Sequence, residues 1–122
     1  MYFKHFVILS IVLHFTSQSE YIELRSCLRK KKSTATIITP SDEQFEVANF
    51  QFVLSNPILP LGYIFVHSND DVVKTIQCGR KLNLLFSIRG GAHSFAKYSF
   101  GSNQSWIIDT TGVQRLLPLV QD

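Results

Sequence analysis

The sequence predicts an α+β domain organised around a strand–helix–strand unit and a glycine-rich loop. Three observations predict it. The apolar, β-rich run "GYIFVH" (62–67) leads into "SNDDVVKTIQCGRKLN", whose start and stop signals are those of a helix, and then into a second apolar run, "LLFSIR" (84–89). The joins are short, so this reads as a crossover unit with its two strands parallel. The second strand then runs straight into "RGGAHS", a basic residue, two glycines, an alanine and a histidine.

Taken in order, the chain of 122 residues is the length of one modest domain, and its 45% hydrophobic content fits a globular one. Lys4 and His5, an apolar run from Phe6 to Phe15, and then Ser17 and Ser19 follow the order of a secretory signal peptide. Residues 1–19 are therefore expected to be a signal peptide cleaved before Glu20, with residues 20–122 forming the mature, secreted domain. A buried N-terminal helix is the alternative. The run covers about half of the roughly 20 residues needed to cross a bilayer, and His14 interrupts it, so no stable membrane span is expected.

Without residues 1–19 the formal charge falls from +3 to +2, because only Lys4 is lost and no acid goes with it. A nearly neutral domain carries no nucleic-acid signature. The basic run Arg29 to Lys32 reads as a solvated loop. Cys27 and Cys78, 51 residues apart, lack the close spacing of a zinc site, and in an oxidising compartment such a pair forms a disulfide. The four histidines show no ligand spacing, and no metal site is expected. "NQS" at Asn103 to Ser105 is an acceptor sequon for N-glycosylation.

Glu20 to Lys32 reads as a helix with Ile22, Leu24 and Leu28 as its apolar points. Ser41 or Asp42 is a candidate N-cap for a short second helix, loosely continued to Leu54. The two prolines of "SNPILPLG" make that stretch a linker. In the crossover helix, two acids sit near the start, Arg80 and Lys81 sit in the last turn, and Val72, Val73 and Ile76 form the expected apolar stripe. "SWIIDT" (105–110) is a further strand, and "TGVQRLLPLV" leads towards the next element.

The loop from Arg89 to Tyr98 is the candidate site. Ligands of open α/β sheets gather outside the carboxyl ends of the strands. Glycines let backbone N–H groups turn towards an anion, as a pyrophosphate requires, and Arg89 can add charge-assisted hydrogen bonds. The spacing is neither GxGxxG nor that of a Walker phosphate loop. On the residues alone, a glycine-rich turn with a surface histidine remains an open reading, and Tyr98 reads as packing.

"IRGGAHSFAKYSFG" resembles the Arg-Ser-Gly-Gly-His-Ser/Asp-Tyr signature of berberine bridge enzyme-like oxidases, of the vanillyl-alcohol oxidase/p-cresol methylhydroxylase-type FAD-binding superfamily. "CLRKKKSTATIITPSDEQFEVA", "HSNDDVVKTIQCGRKLNLLFSIRGGAHS" and "SWIIDTTGVQRL" resemble other segments of that family's N-terminal region, so the likeness runs from about Glu20 to Leu116. It implies the N-terminal part of a p-cresol methylhydroxylase-type FAD-binding domain, with Cys27 and Cys78 falling on cysteines that pair. It also implies that Arg89, Gly90, Gly91, Ala92, His93 and Ser94 hold the FAD pyrophosphate. His93 falls on the histidine bonded covalently to the 8α carbon of the flavin, a role an imidazole fills because a neutral ring nitrogen is nucleophilic.

The likeness further implies a parent oxidoreductase that takes a hydride from a small-molecule substrate (an alcohol, sugar or amine-like carbon) and passes electrons to oxygen. Gly90 stands where the family has serine and Ala92 where it has a second glycine. Nothing in the chain matches the catalytic base or the second flavin-tethering cysteine, and the family's enzymes are several times longer. The expectation is an N-terminal piece of a secreted FAD-dependent oxidase. The alternative is a truncated, inactive secreted protein that keeps the start of the fold and binds no flavin.

Overall fold

The computed structural model describes residues 18–49, 59–90 and 102–114. Helix α1 is helical over residues 18–30, and strand β1 (Thr36–Ile38) and a single helical turn α2 (Phe45–Ala48) follow. After these come β2 (Gly62–Phe65), α3 (Asn69–Leu82), β3 (Leu85–Arg89), β4 (Ser105–Asp109) and α4 (Thr111–Gln114). The strands form one mixed sheet of order β1-β2-β4-β3, in which β2, β4 and β3 are parallel and β1 is antiparallel to β2.

The expected α+β class and all three expected strands are present. The crossover strands β2 and β3 run parallel as expected, but β4 lies between them and pairs with both. Its five residues are all buried, and "SWIID" has the apolar character of a strand covered on both faces. β3 is instead an edge strand, with Leu85 and Ile88 each about 60% exposed.

Alternation along the strands divides the core. On one face Ile64, Val66, Trp106 and Ile108 pack with Leu24, Cys27 and Leu28 of α1 and Cys78 of α3. On the other, Tyr63 and Ile107 pack with Phe45 and Ala48 of α2. The buried α1 residues 24, 27 and 28 have the spacing of one helix face, while Ile22, an expected apolar point, is exposed. The helix closes through a turn in which Ser33 N–H donates to Leu28 O, with Lys32 at φ 58°.

α3 starts where its capping signal lies: the Ser68 hydroxyl accepts from Asp71 N–H at 3.1 Å. It ends at Asn83, left-handed at φ 58° and ψ 45°. Its inward face corrects the sequence reading. Val73 and Ile76 are exposed, and Asp71, Thr75, Cys78 and Gly79 are buried instead. The cause is twofold. The Cys27–Cys78 disulfide draws that side of α3 against α1. Gly79 lets Phe86 of β3 pack where a Cβ would stand. The polar residues turned inward have partners: Thr75 donates to Asp71 O at 2.7 Å, and Asp71 binds the segment after α1.

Two further differences concern the segment before β2. β1 was not expected from the sequence, because three residues carry too little alternation to reveal a strand; its pairing with β2 makes it one. The second helix begins at Phe45, after Gln44, rather than directly after a Ser41 or Asp42 cap, and Asn49 follows its four residues; the expected loose continuation over residues 50–54 lies outside the described residues. Asp42 does not cap it but accepts from Thr39 N–H at 2.7 Å.

Candidate functional site

β2, β4 and β3 end together, because Phe65, Asp109 and Arg89 are aligned in register. This shared carboxyl end, at the point where β4 is inserted between the two crossover strands, is where open α/β sheets bind ligands. Arg89 is the last residue of β3, and Gly90 follows it as an exposed bend. Gly91, Ala92, His93 and Ser94, the remainder of the expected cofactor loop, lie outside the described residues, as does Tyr98.

Arg89 is buried, with 5% of its surface exposed. Its Nη2 and Nε donate to Asp109 Oδ2 at 2.6 and 2.8 Å, and its Nη1 donates to the carbonyl of Ala48 in α2. The guanidinium carbon lies 4.4 Å from the centre of the Tyr63 ring, a cation–π distance. Register accounts for this grouping: Arg89 and Asp109 are directly opposed, and Tyr63 is two residues before the Phe65 that opposes Asp109, so all three side chains leave the same sheet face. A buried ion pair is maintained only when further hydrogen bonds satisfy its remaining groups, and here Thr111 N–H donates to Asp109 Oδ1 at 2.8 Å.

Tyr63 extends the cluster. Its hydroxyl donates to Asn49 Oδ1 at the end of α2. Burial pushes the phenol up to about 12 against the opposing charge of Arg89, so it is neutral at physiological pH. The backbone leaving β3 is also fixed, since Arg89 O accepts from Thr110 N–H at 2.9 Å and Thr110 Oγ1 at 3.3 Å. Sequence reasoning singled out Arg89 but not Asp109 or Tyr63. The signal for Asp109 was present: an acid closing an otherwise apolar strand has to find a cation if that strand is buried.

Elsewhere, Cys27 and Cys78 form the expected disulfide. Asn103 is exposed in the turn before β4. Residues 1–17, most of the expected signal peptide, lie outside the described residues, and residues 18 and 19 are helical. Among the described residues no helix is long and apolar enough to cross a membrane, and no group of three or more His, Cys, Asp or Glu is placed to hold a metal ion.

An exposed glycine at the shared end of parallel strands fits a flavin's phosphates, because backbone N–H groups can approach an anion there without a Cβ between them.

No family model matches the sequence. Among curated proteins, an uncharacterized FAD-linked oxidoreductase of Bacillus subtilis (strain 168) is 27% identical over 89 residues, which is 73% of this chain and 20% of that protein. A carbohydrate oxidase of Microdochium nivale is 26% identical over 85 residues, 70% of this chain and 17% of that one. The chain therefore spans about a fifth of the length of the curated relatives it matches.

Solved structures agree in fold. BBE-like 1 of Physcomitrella patens matches 73% of this chain and 19% of its own, with TM-score 0.66 and 24% identity. Glucooligosaccharide oxidase of Acremonium strictum, which carries a 6-S-cysteinyl, 8α-N1-histidyl FAD, matches 71% of this chain and 18% of its own, with TM-score 0.58 and 22% identity. By sequence this chain is similar to an FAD-linked oxidoreductase and a carbohydrate oxidase, and by fold it shares the α+β architecture of a BBE-like protein and of a flavin-carrying oxidase.

Proposed function

We propose that this chain forms the opening part of the FAD-binding domain of a secreted FAD-linked oxidase, and that residues 89–94 hold the cofactor's pyrophosphate with His93 as its covalent anchor. The observation that carries this reading is the sequence similarity to an FAD-linked oxidoreductase across 89 residues, in a chain whose Arg89 and Gly90 stand at the carboxyl end of parallel strands. Gly90, Gly91 and Ala92 supply close-lying N–H groups for the phosphates, Ser94 a hydroxyl, and the His93 imidazole a nucleophilic nitrogen. Once bound, the flavin supplies hydride acceptance from a small-molecule substrate and electron transfer to oxygen. The histidyl flavin of the Acremonium oxidase supports His93 as the anchor. Carbohydrate is the favoured substrate class, because the Microdochium relative is a carbohydrate oxidase.

The Cys27–Cys78 disulfide, the N-terminal apolar run and the exposed Asn103 sequon support secretion, with residues 1–19 as signal peptide and a glycan on Asn103. A second reading has a specific motive. Ala92 and Gly90 depart from the family's loop, and if residue 92 needs a positive φ, alanine there costs about 1 kcal/mol or more. That reading is a secreted, inactive relative that binds no flavin.

Intact mass and visible absorption of the secreted natural protein, wild type and His93→Ala, separate the two. A flavin spectrum that survives denaturation, with an added mass equal to FAD that disappears in His93→Ala, supports the covalent oxidase. Colourless wild-type protein at its apo mass supports the inactive relative.

A further inference from the structure

We infer that Asp109 is a positioning residue for the proposed flavin loop: by pairing with Arg89 it makes that arginine a neutralised pin that sets the path of the chain into Gly90, rather than a positive charge offered to the pyrophosphate. This rests on the flavin reading above and narrows it, moving Arg89 from direct contact with the pyrophosphate to support of the loop that follows it.

Among the described residues the pin has three holds. Asp109 Oδ2 takes two N–H groups of Arg89, at 2.6 and 2.8 Å; the Ala48 carbonyl takes a third; and the Tyr63 ring lies beneath the guanidinium at 4.4 Å. They come from β4, α2 and β2, so the end of β3 is tied to three other elements. The carbonyl of Arg89 is held separately by Thr110. With side chain and carbonyl both fixed, the direction in which the chain leaves residue 89 is fixed as well.

Charge argues the same way. Arg89 and Asp109 are 5% and 3% exposed. A guanidinium withdrawn to meet a phosphate would leave the Asp109 carboxylate buried and deprived of its ion pair, which is strongly unfavourable. The phosphates are then left to backbone N–H groups and to Ser94. A misplaced loop entry displaces all of these together, which gives Asp109 leverage without contact with the cofactor.

The test uses the full-length natural protein in three forms, wild type, Asp109→Asn and the apolar pair Arg89→Met/Asp109→Leu, each also made in a His93→Ala background so that flavin binding is reversible. Folding is followed by near-ultraviolet circular dichroism, and FAD dissociation is measured by fluorescence across a salt series. Positioning predicts that Asp109→Asn loosens FAD about tenfold or more. It also predicts that the apolar pair, which fills the same buried space without charge, stays folded and returns to near wild-type affinity with an unchanged salt dependence.

Wild-type affinity in a folded Asp109→Asn overturns the proposal. So does weak binding by a folded apolar pair with a shallower salt dependence, since that marks Arg89 as a phosphate contact. If Asp109→Asn fails to fold, the apolar pair alone decides between those outcomes. If wild-type protein takes up no FAD at all, the flavin reading itself is overturned and this inference goes with it.

Discussion

Arg89 and Asp109 stand opposite one another as the final pair of the β3–β4 ladder, and their side chains meet at 2.6 Å almost out of contact with water. Removing one member of such a pair leaves the other charged, buried and unpaired. Asp109→Ala should therefore lower stability by roughly 3–5 kcal/mol, whereas the apolar pair Arg89→Met/Asp109→Leu should cost far less. Urea denaturation of the three proteins checks this; equal losses in the single and double variants would mean that packing, not the orphaned charge, sets the cost.

Asp71 holds α3 to the segment after α1. Burial works to raise its carboxyl, but hydrogen bonds from Thr34 Oγ1, His67 N–H, Thr34 N–H and Ser33 Oγ outweigh burial and bring it down from 3.8 to about 2. A depressed carboxylate contributes stability above its unfolded value, and that stability is lost as pH falls through the folded one. The contribution is about 2 kcal/mol. Asp71→Asn should be less stable than wild type at neutral pH, and the gap should close between about pH 4 and pH 2. An acid titration of unfolding free energy in which the gap stays constant would refute the assignment.

Tyr63 makes the opposite kind of prediction. Its phenol is raised by burial to about 12, so the fold favours the neutral form, and stability should decline once pH exceeds the ordinary tyrosine value near 10. Ultraviolet titration of tyrosinate should contain a late component near pH 12 that is missing in Tyr63→Phe. Tyr63→Phe should also show a shallower loss of stability in alkali.

Gly79 is the point where α3 closes on β3. A methyl group there would overlap the Phe86 ring, so Gly79→Ala should destabilise by about 1–3 kcal/mol despite alanine's better helix propensity. Trimming the obstruction in Gly79→Ala/Phe86→Leu should recover part of the loss relative to Phe86→Leu alone. Thermal melts of the four proteins form the cycle, and strict additivity would show that the two sites do not touch.

The disulfide closes the same region covalently. For a separation of 51 residues its removal in Cys27→Ser/Cys78→Ser should cost about 4 kcal/mol in the chain-entropy account. Denaturation of the double variant beside oxidised wild type measures it. A loss under about 1 kcal/mol would mean that the denatured chain already keeps α1 and α3 together.

The sequence by itself determined what depends on neighbours along the chain. The runs that became β2, β3 and β4, the Ser68 cap and the basic last turn of α3 are local signals, and each element formed where its signal lies. The single possible cysteine pairing was legible because only two cysteines exist. Arg89 and Gly90 were legible as a strand end entering a glycine-rich loop.

Tertiary structure decided what depends on partners far away in sequence. The insertion of β4 between β2 and β3, the pairing of a three-residue β1, and the inward turn of Asp71 and Thr75 in place of Val73 and Ile76 all follow from register and close approach. So does the fate of Arg89. The local sequence shows a positive charge at a strand end, and only register sets Asp109, 20 residues onward, directly opposite it. Local patterns fix which segments become strands and helices, because hydrogen bonding and alternation act over a few residues. Which charge meets which is settled only when separate segments share a face and water is excluded between them.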